Sequence, residues 1–154
     1  MHSTQGVILK KHDVGEADAI FVIYTKDFGK IRAVAQGIKK ENAKLKGHLE
    51  TLSLASIQFV VGKNGERLTH AELLDYWPLL RGDREKLKNA WQIAEMINSN
   101  CLEGEKDENI WTLLVSSLSI LNKESFSEAE AGGFLKSVEA RMLQHLGIGE
   151  PAEV

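Results

Sequence analysis

Short apolar segments with the alternation of β-strands fill the first half of the chain. Val7, Ile8 and Leu9 form one run, and residues 19–25 (AIFVIYT) form a second that is rich in β-branched and aromatic side chains. Residues 31–36 alternate in the period of a third strand, and Gly29 in the preceding turn tolerates a positive φ. The second and third strands are therefore predicted to form a hairpin. Residues 52–61 and 67–73 are the fourth and fifth predicted strands.

Five short strands in about 75 residues are too few for two full sheets, but they suit a small closed barrel without exposed strand edges. An OB-like or an SH3-like barrel satisfies this pattern. Periodicity alone does not distinguish between the two.

The second half has the spacing of amphipathic helices. Asp83 is a predicted N-cap for a helix whose apolar positions, over residues 87–101, recur every three or four residues. Residues 110–121 repeat the pattern after a polar linker. Residues 127–130 (SEAE) form a capping box that opens a third helix, which Gly147 is predicted to end. The predicted fold class is α+β multidomain, with a barrel domain at 1–80 and an all-α helical domain at 81–154.

Composition limits the class of protein without naming its activity. The chain is 43% hydrophobic and 27% charged, as in globular proteins, and no apolar run approaches the roughly 18 residues of a membrane span. The start of the chain lacks the apolar stretch of a signal peptide, so we expect a cytoplasmic protein without membrane contact. One cysteine, Cys101, excludes an internal disulfide and a multi-thiolate zinc site, and its helical spacing predicts a core position.

Charge is distributed unevenly between the two halves. Residues 1–80 carry eleven lysines and arginines against nine acidic residues, whereas residues 81–154 carry eight against thirteen. Residues 26–46 alone hold seven basic and two acidic side chains. The first half is therefore the candidate for binding an anionic partner.

A basic connector, residues 37–47, joins the third predicted strand to the fourth. Lysine ammonium groups on a mobile loop suit contacts to phosphates, which need charge and reach more than fixed geometry. Aromatic side chains at Phe21, Tyr24 or Phe28 would stack on bases if they were exposed, although strand-two aromatics are more typical of a core. The alternative is a solvated charged loop. The candidate nucleic-acid-binding residues are Lys30, Arg32, Lys39, Lys40, Lys44 and Lys46.

No group of residues indicates catalysis, so the prediction is a protein that is not an enzyme and uses no metal or cofactor. The five histidines are scattered and lack metal-ligand spacing, and glycine-rich phosphate-binding motifs are absent. Trp77, Trp91 and Trp111 are too far apart to form a motif and are predicted to pack the helices or the domain junction.

The first half also contains a series of short motifs in a characteristic order. They are Gly6-Val7-Ile8-Leu9-Lys10, Gly15-Glu16-Ala17-Asp18, Tyr24-Thr25, Gly29-Lys30-Ile31, Ala35-Gln36-Gly37 and Leu45-Lys46-Gly47-His48-Leu49-Glu50. Across 1–80 the series resembles the amino-terminal domain of the RecO family of recombination mediators. The resemblance continues through Ala71-Glu72-Leu73-Leu74, Leu80-Arg81, Phe134-Leu135 and Leu146-Gly147.

The resemblance implies an OB-fold front domain and a role in DNA repair. It implies binding to single- and double-stranded DNA, annealing of complementary strands, and loading of the RecA recombinase together with RecR. It also implies contact with the acidic tail of single-strand-binding protein. Carried over to this sequence, the DNA-facing positions are the same six basic residues that charge selects.

Two features depart from the family pattern. The family's connector commonly carries arginine and serine, whereas this chain has lysines and Ala43, which reduces bidentate phosphate contacts. Many members place a four-cysteine zinc module and further helices after the position of Gly147, and this sequence has neither. A natural short form and a truncation both remain open.

The alternative function is a protein-interaction adaptor in which the helical half binds a repair or replication partner and the barrel is a scaffold.

Overall fold

The fold was analysed in a computed structural model that describes residues 1–40 and 43–148. The chain divides into two compact units. The first comprises Met1–Tyr76 together with Cys101–Asp107, and the second comprises Trp77–Asn100 and the residues from Glu108 onward. The boundary thus falls four residues before the predicted position 80. Residues 149–154 of the predicted helical domain lie outside the described part of the chain.

Five strands build the first unit, in the predicted order. They are β1 (His2–Val14), β2 (Asp18–Thr25), β3 (Gly29–Ala35), β4 (Leu54–Gly62) and β5 (Gly65–Asp75). Strands β2 and β3 form the predicted antiparallel hairpin, with Ile23 opposite Ile31. Gly29 has a φ of 66°, which explains why glycine begins β3.

The strands close into a barrel in the order β1-β2-β3-β5-β4. A short parallel pairing of β3 with β5 closes it, and the other neighbours are antiparallel. Apolar side chains at alternate positions fill the interior, among them Ile8, Phe21, Ile31, Ile57 and Phe59. The predicted barrel followed by helices is confirmed, and the strand order is that of an OB-type barrel.

Strand β1 is much longer than the three-residue run that signals it in the sequence. Its register against β2 shifts between Ile8 and Lys10, which leaves Leu9 as an extra residue in a β-bulge. Ile8 lies opposite Ile23 before the shift, and Lys11 lies opposite Phe21 after it. The bulge therefore turns Lys11 toward the same barrel face as the interior residues Ile8 and Phe21.

Helices build the second unit of the described chain. They are α1 (Pro78–Arg81), α2 (Arg84–Asn100), α3 (Glu108–Lys123) and α4 (Glu128–His145). The predicted capping box at Ser127 and Glu130 is confirmed, with both reciprocal hydrogen bonds present. Asp83 caps α2 by accepting from the backbone N–H groups of Glu85 and Lys86. Gly147, with a φ of 72°, follows the last turn of α4 as predicted.

Two sequence expectations need correction in this region. Cys101 is buried as predicted, but it does not lie on a helix face: α2 ends at Asn100 and Cys101 belongs to the barrel unit. Trp77 and Trp111 are buried, whereas Trp91 is 44% exposed and does not pack into the core as expected. Helical periodicity placed Cys101 and Trp91 on the apolar face of one helix. It does not show where that helix ends or which part of its apolar face is covered by other residues.

Candidate nucleic-acid interface

Two of the six candidate cations lie on the outer face of β3. Ile31, Ala33 and Ala35 point into the barrel, so the alternating residues Lys30 and Arg32 point out of it. Arg32 is exposed and Lys30 is half-buried. Both side chains therefore lie on the outer surface of the barrel.

The same face of β3 is occupied by residues Cys101–Asp107, here called the acidic segment because it contains three carboxylates and one lysine. Its Gly104 N–H donates to the Lys30 carbonyl at 2.9 Å. The Glu103 carboxylate lies 3.7 Å from the Arg32 guanidinium. The two β3 cations thus share their surface with the protein's own negative charge, which partly offsets the charge of the Arg32 guanidinium.

Burial under the acidic segment changes the chemistry of two side chains. The Tyr24 hydroxyl donates to the Asp107 carbonyl at 3.4 Å. Burial, and then the charge on Cys101 and on neighbouring carboxylates, raises the pKa of Tyr24 well above its ordinary value. Burial also raises the pKa of the Cys101 thiol to about 11, with Lys30 acting in the opposite direction. Neither group is therefore ionised at neutral pH, and neither carries chemistry there.

The other four candidates lie on the connector between β3 and β4, and several of its described residues pack against the barrel core. Backbone hydrogen bonds from Lys40 to Gly37 and from His48 to Leu45 close turns in its described residues. Ile38 and Leu49 are buried in the barrel core, and Leu45 packs against it. Residues 41 and 42 of the connector lie outside the described residues. The apolar contacts anchor the connector so that its lysines are held at one end of the barrel.

Contacts to the β1–β2 turn fix the start of the connector. Asp18 accepts from the Gly37 N–H at 2.7 Å. The Lys39 ammonium donates to the Gly15 carbonyl at 3.0 Å and lies 3.6 Å from the Asp13 carboxylate. Lys39 therefore serves partly as a structural clamp, since its charge is engaged within the chain.

Lys40, Lys44 and Lys46 are exposed on the connector. Among the described residues, Lys39 is the connector lysine that forms an ion pair, and its partner is the Asp13 carboxylate. Lys11 on β1 joins this group because it lines the same depression as Lys39 and Lys46. Sequence reasoning missed Lys11, because the face of β1 on which Lys11 lies depends on the bulge at Leu9. Lys11, Lys39, Lys40, Lys44 and Lys46 are here called the connector cluster.

The structure thus separates the six candidates into two groups. Lys30 lies near the start of β3, and the connector begins after Ala35 at its end. At a rise of about 3.3 Å per residue, these points are about 16 Å apart along the strand. Arg32 lies nearer, about 10 Å from Ala35 along the strand, and a continuous track over both groups stays a prediction.

The aromatic candidates are not stacking platforms on β2. Phe21 and Tyr24 are both 1% exposed, so they belong to the interior or lie under the acidic segment. Phe28 is half-buried and packs edge-on against His2 and Phe59. Stacking on bases through Phe21 or Tyr24 is therefore excluded in this conformation.

Other kinds of site find little support in the described residues. No group of three or more His, Cys, Asp or Glu side chains there could hold a metal ion. None of the helices in residues 1–40 and 43–148 has both the length and the apolar character to cross a membrane.

A closed barrel with a basic connector between its third and fourth strands, followed by helices, defines an OB-type multidomain protein. Residues 1–77 match the family described as Recombination protein O N terminal. The chain therefore belongs to the RecO family, as the sequence motifs implied.

Relatives of this family match well beyond the barrel. A DNA repair protein RecO from Gloeobacter violaceus is 34% identical over 75% of this chain and 44% of its own length. One from Nostoc punctiforme is 33% identical over 87% of this chain and 44% of its own length. A third, from Roseiflexus sp., is 28% identical over 96% of this chain and 50% of its own length. The chain spans about half the length of the RecO proteins that it matches.

Proposed function

We propose that the chain acts in recombinational DNA repair by holding the phosphate backbone of DNA on the connector cluster. The observation that carries this proposal is the set of lysines fixed at one end of the barrel by the packing of Ile38, Leu45 and Leu49. Their ammonium groups replace counterions along the strand, so affinity depends on salt and little on sequence. By family membership we extend the proposal to single- and double-stranded DNA, to strand annealing and to recombinase loading.

The proposed partners follow from the same membership. They are RecR, single-strand-binding protein and the RecA recombinase. The DNA-contacting residues in this proposal are Lys40, Lys44 and Lys46. Lys11 and Lys39 contribute less, because the Asp13 carboxylate lies 3.8 Å and 3.6 Å from their ammonium groups. Lys30 and Arg32 contribute less, because the acidic segment lies against them.

The test is the affinity for a fluorescein-labelled single-stranded oligonucleotide, measured by anisotropy at 0.1 M salt. Replacing Lys40, Lys44 and Lys46 by glutamine should weaken binding about 100-fold, because three phosphate contacts are lost. The matched control replaces Lys123, Lys136 and Arg141 by glutamine, which removes the same charge from exposed positions of the helical unit. An equal loss in the two variants would show that net charge, not the connector, determines binding.

A second candidate function is protein interaction through the helical unit. Trp91 is 44% exposed and lies with Leu87 in a shallow apolar depression on α2, flanked by Arg84 and Lys88. Exposed tryptophan beside basic side chains is typical of protein-binding surfaces. Under this candidate, Trp91→Ala weakens capture of RecR or single-strand-binding protein and leaves the DNA dissociation constant unchanged.

A further inference from the structure

A depression of about 360 Å³ opens at the connector end of the barrel. Its apolar lining comes from Phe21 on β2 and from Ile38, Leu45 and Leu49 on the connector. These side chains are largely buried, so they form a floor rather than a protruding patch. The volume lies within the range of about 300–1,000 Å³ that is usual for small-molecule sites.

The rim of the depression is polar and carries more positive than negative groups. Lys11, Lys39 and Lys46 line it together with one carboxylate, Glu50. Asp13 lies 3.8 Å from the Lys11 ammonium and 3.6 Å from that of Lys39, so two of the three lysines share a single carboxylate. An apolar floor below a cationic rim suits a ligand with a flat, weakly polar body and anionic groups at its edge.

We propose that this depression receives one unstacked base of a single DNA strand, whose flanking phosphates lie on the rim lysines. The proposal rests on the DNA-binding function proposed above and names the form of DNA that the site takes. A base presents apolar faces that can pack on the floor at Leu45, which is half-buried, without stacking on the buried ring of Phe21. Its edge carries hydrogen-bonding groups, and the Glu50 carboxylate accepts from a donor there. Paired bases in a duplex are stacked and remain outside, so the site favours single strands.

The experiment compares two labelled oligonucleotides of equal length and charge, oligo(dT) and the same backbone made of abasic residues. Fluorescence anisotropy gives the dissociation constant of the full chain for each. Backbone contacts alone predict equal affinity, because both strands carry the same phosphates. The occupied depression predicts that oligo(dT) binds about tenfold more tightly, because burial of one base face is lost in the abasic strand.

Two variants locate that difference. Thr51→Trp fills the depression from its edge, and Thr69→Trp on β5 is the matched control at an exposed position outside it. Thr51→Trp should reduce the preference for oligo(dT) to less than about twofold, while Thr69→Trp keeps it. Leu45→Gln, which makes the floor polar, provides a second variant if Thr51→Trp fails to fold. Circular dichroism establishes folding for each.

The outcomes separate the two proposals. Equal affinity of the wild-type chain for the two strands overturns the base site and leaves backbone binding on the connector cluster intact. A preference for oligo(dT) that survives in both Thr51→Trp and Leu45→Gln also overturns it, since the base then binds elsewhere. Failure of both strands to bind overturns the DNA-binding function and the base site together.

Discussion

Two cationic regions of the same barrel differ in what faces them. Lys30 and Arg32 on β3 lie beside the acidic segment, with Glu103 3.7 Å from Arg32. Lys40, Lys44 and Lys46 are exposed on a connector that apolar side chains hold against the barrel end. The charge of Arg32 is therefore partly offset by a neighbouring carboxylate, whereas the three connector lysines are exposed to solvent. The difference arises from residues 101–107, which lie far from either region in sequence.

Charge reversal gives the largest expected effect and tests the comparison directly. Changing Lys40, Lys44 and Lys46 to glutamate should weaken binding to single-stranded DNA on the order of 1,000-fold, because three attractions become repulsions. Changing Lys30 and Arg32 to glutamate should weaken it less than about tenfold, since Glu103 already offsets the charge of Arg32. Anisotropy at constant salt measures both, and unfolding melts verify the fold. A larger loss from the β3 pair would reverse our assignment of the two regions.

The sequence predicts the barrel because its signals are local. Alternation defines β2 and β3, and the turn residue Gly29 positions the hairpin between them. The capping box at Ser127 likewise marks the start of α4 from side chains within one turn. The residues that determine such elements lie within the elements themselves, so a single sequence is sufficient to locate them.

The candidate site is predicted less completely, because its parts meet through tertiary contacts. Lys11 joins the connector cluster only because the bulge at Leu9 reverses which residues of β1 point to each face of the sheet after it. No residue type in this segment predicts a bulge. The acidic segment binds β3 largely through backbone groups, such as the Gly104 N–H and the Lys30 carbonyl. Close approach there also requires Gly29, since a Cβ at that position would overlap the Glu105 backbone. Charge counts and periodicity do not encode these contacts.

The reactivity of Cys101 gives the next largest effect and reports whether the acidic segment stays in place. Burial raises the pKa of the thiol from its ordinary value of 9.0 to about 11. The folded thiol should therefore react with an aromatic disulfide reagent at pH 8 about 100-fold more slowly than the urea-unfolded chain. Absorbance of the released thiolate measures the rate. A rate unchanged by excess DNA agrees with a segment that remains docked. Equal rates in the folded and unfolded chains would show that the segment does not cover β3.

The same pKa difference predicts how stability changes with pH. The folded thiol keeps its proton above pH 9, where the unfolded thiol loses it, so the unfolded state binds fewer protons in this range. The free energy of unfolding should therefore be fully retained below about pH 9 and decline as pH rises toward 11. Cys101→Ser should lessen this decline in urea titrations. A decline of the same size in that variant would assign it to other groups.

Neutralising Glu103 gives the smallest expected effect. It removes the carboxylate beside Arg32 instead of removing a cation, so it should increase the affinity of the β3 region for DNA. Glu103→Gln frees the Arg32 guanidinium from its ion pair and removes a negative charge beside it. Affinity for single-stranded DNA should rise about two- to threefold, as expected for an exposed pair. Glu139→Gln, at an exposed position on α4, is the control for the change in net charge. Equal gains in the two variants would indicate a general charge effect.

In the proposed function the phosphates of DNA bind at the connector end of the barrel, and the salt dependence of affinity distinguishes this from binding on β3. Each single-strand phosphate contact contributes about −0.7 to the slope of log K against log salt, so the slope should flatten by about 2.1 when Lys40, Lys44 and Lys46 become glutamine. Neutralising Lys30 and Arg32 should leave the slope close to that of the unmodified chain. A slope that flattens with the β3 pair and persists without the connector lysines would contradict the account.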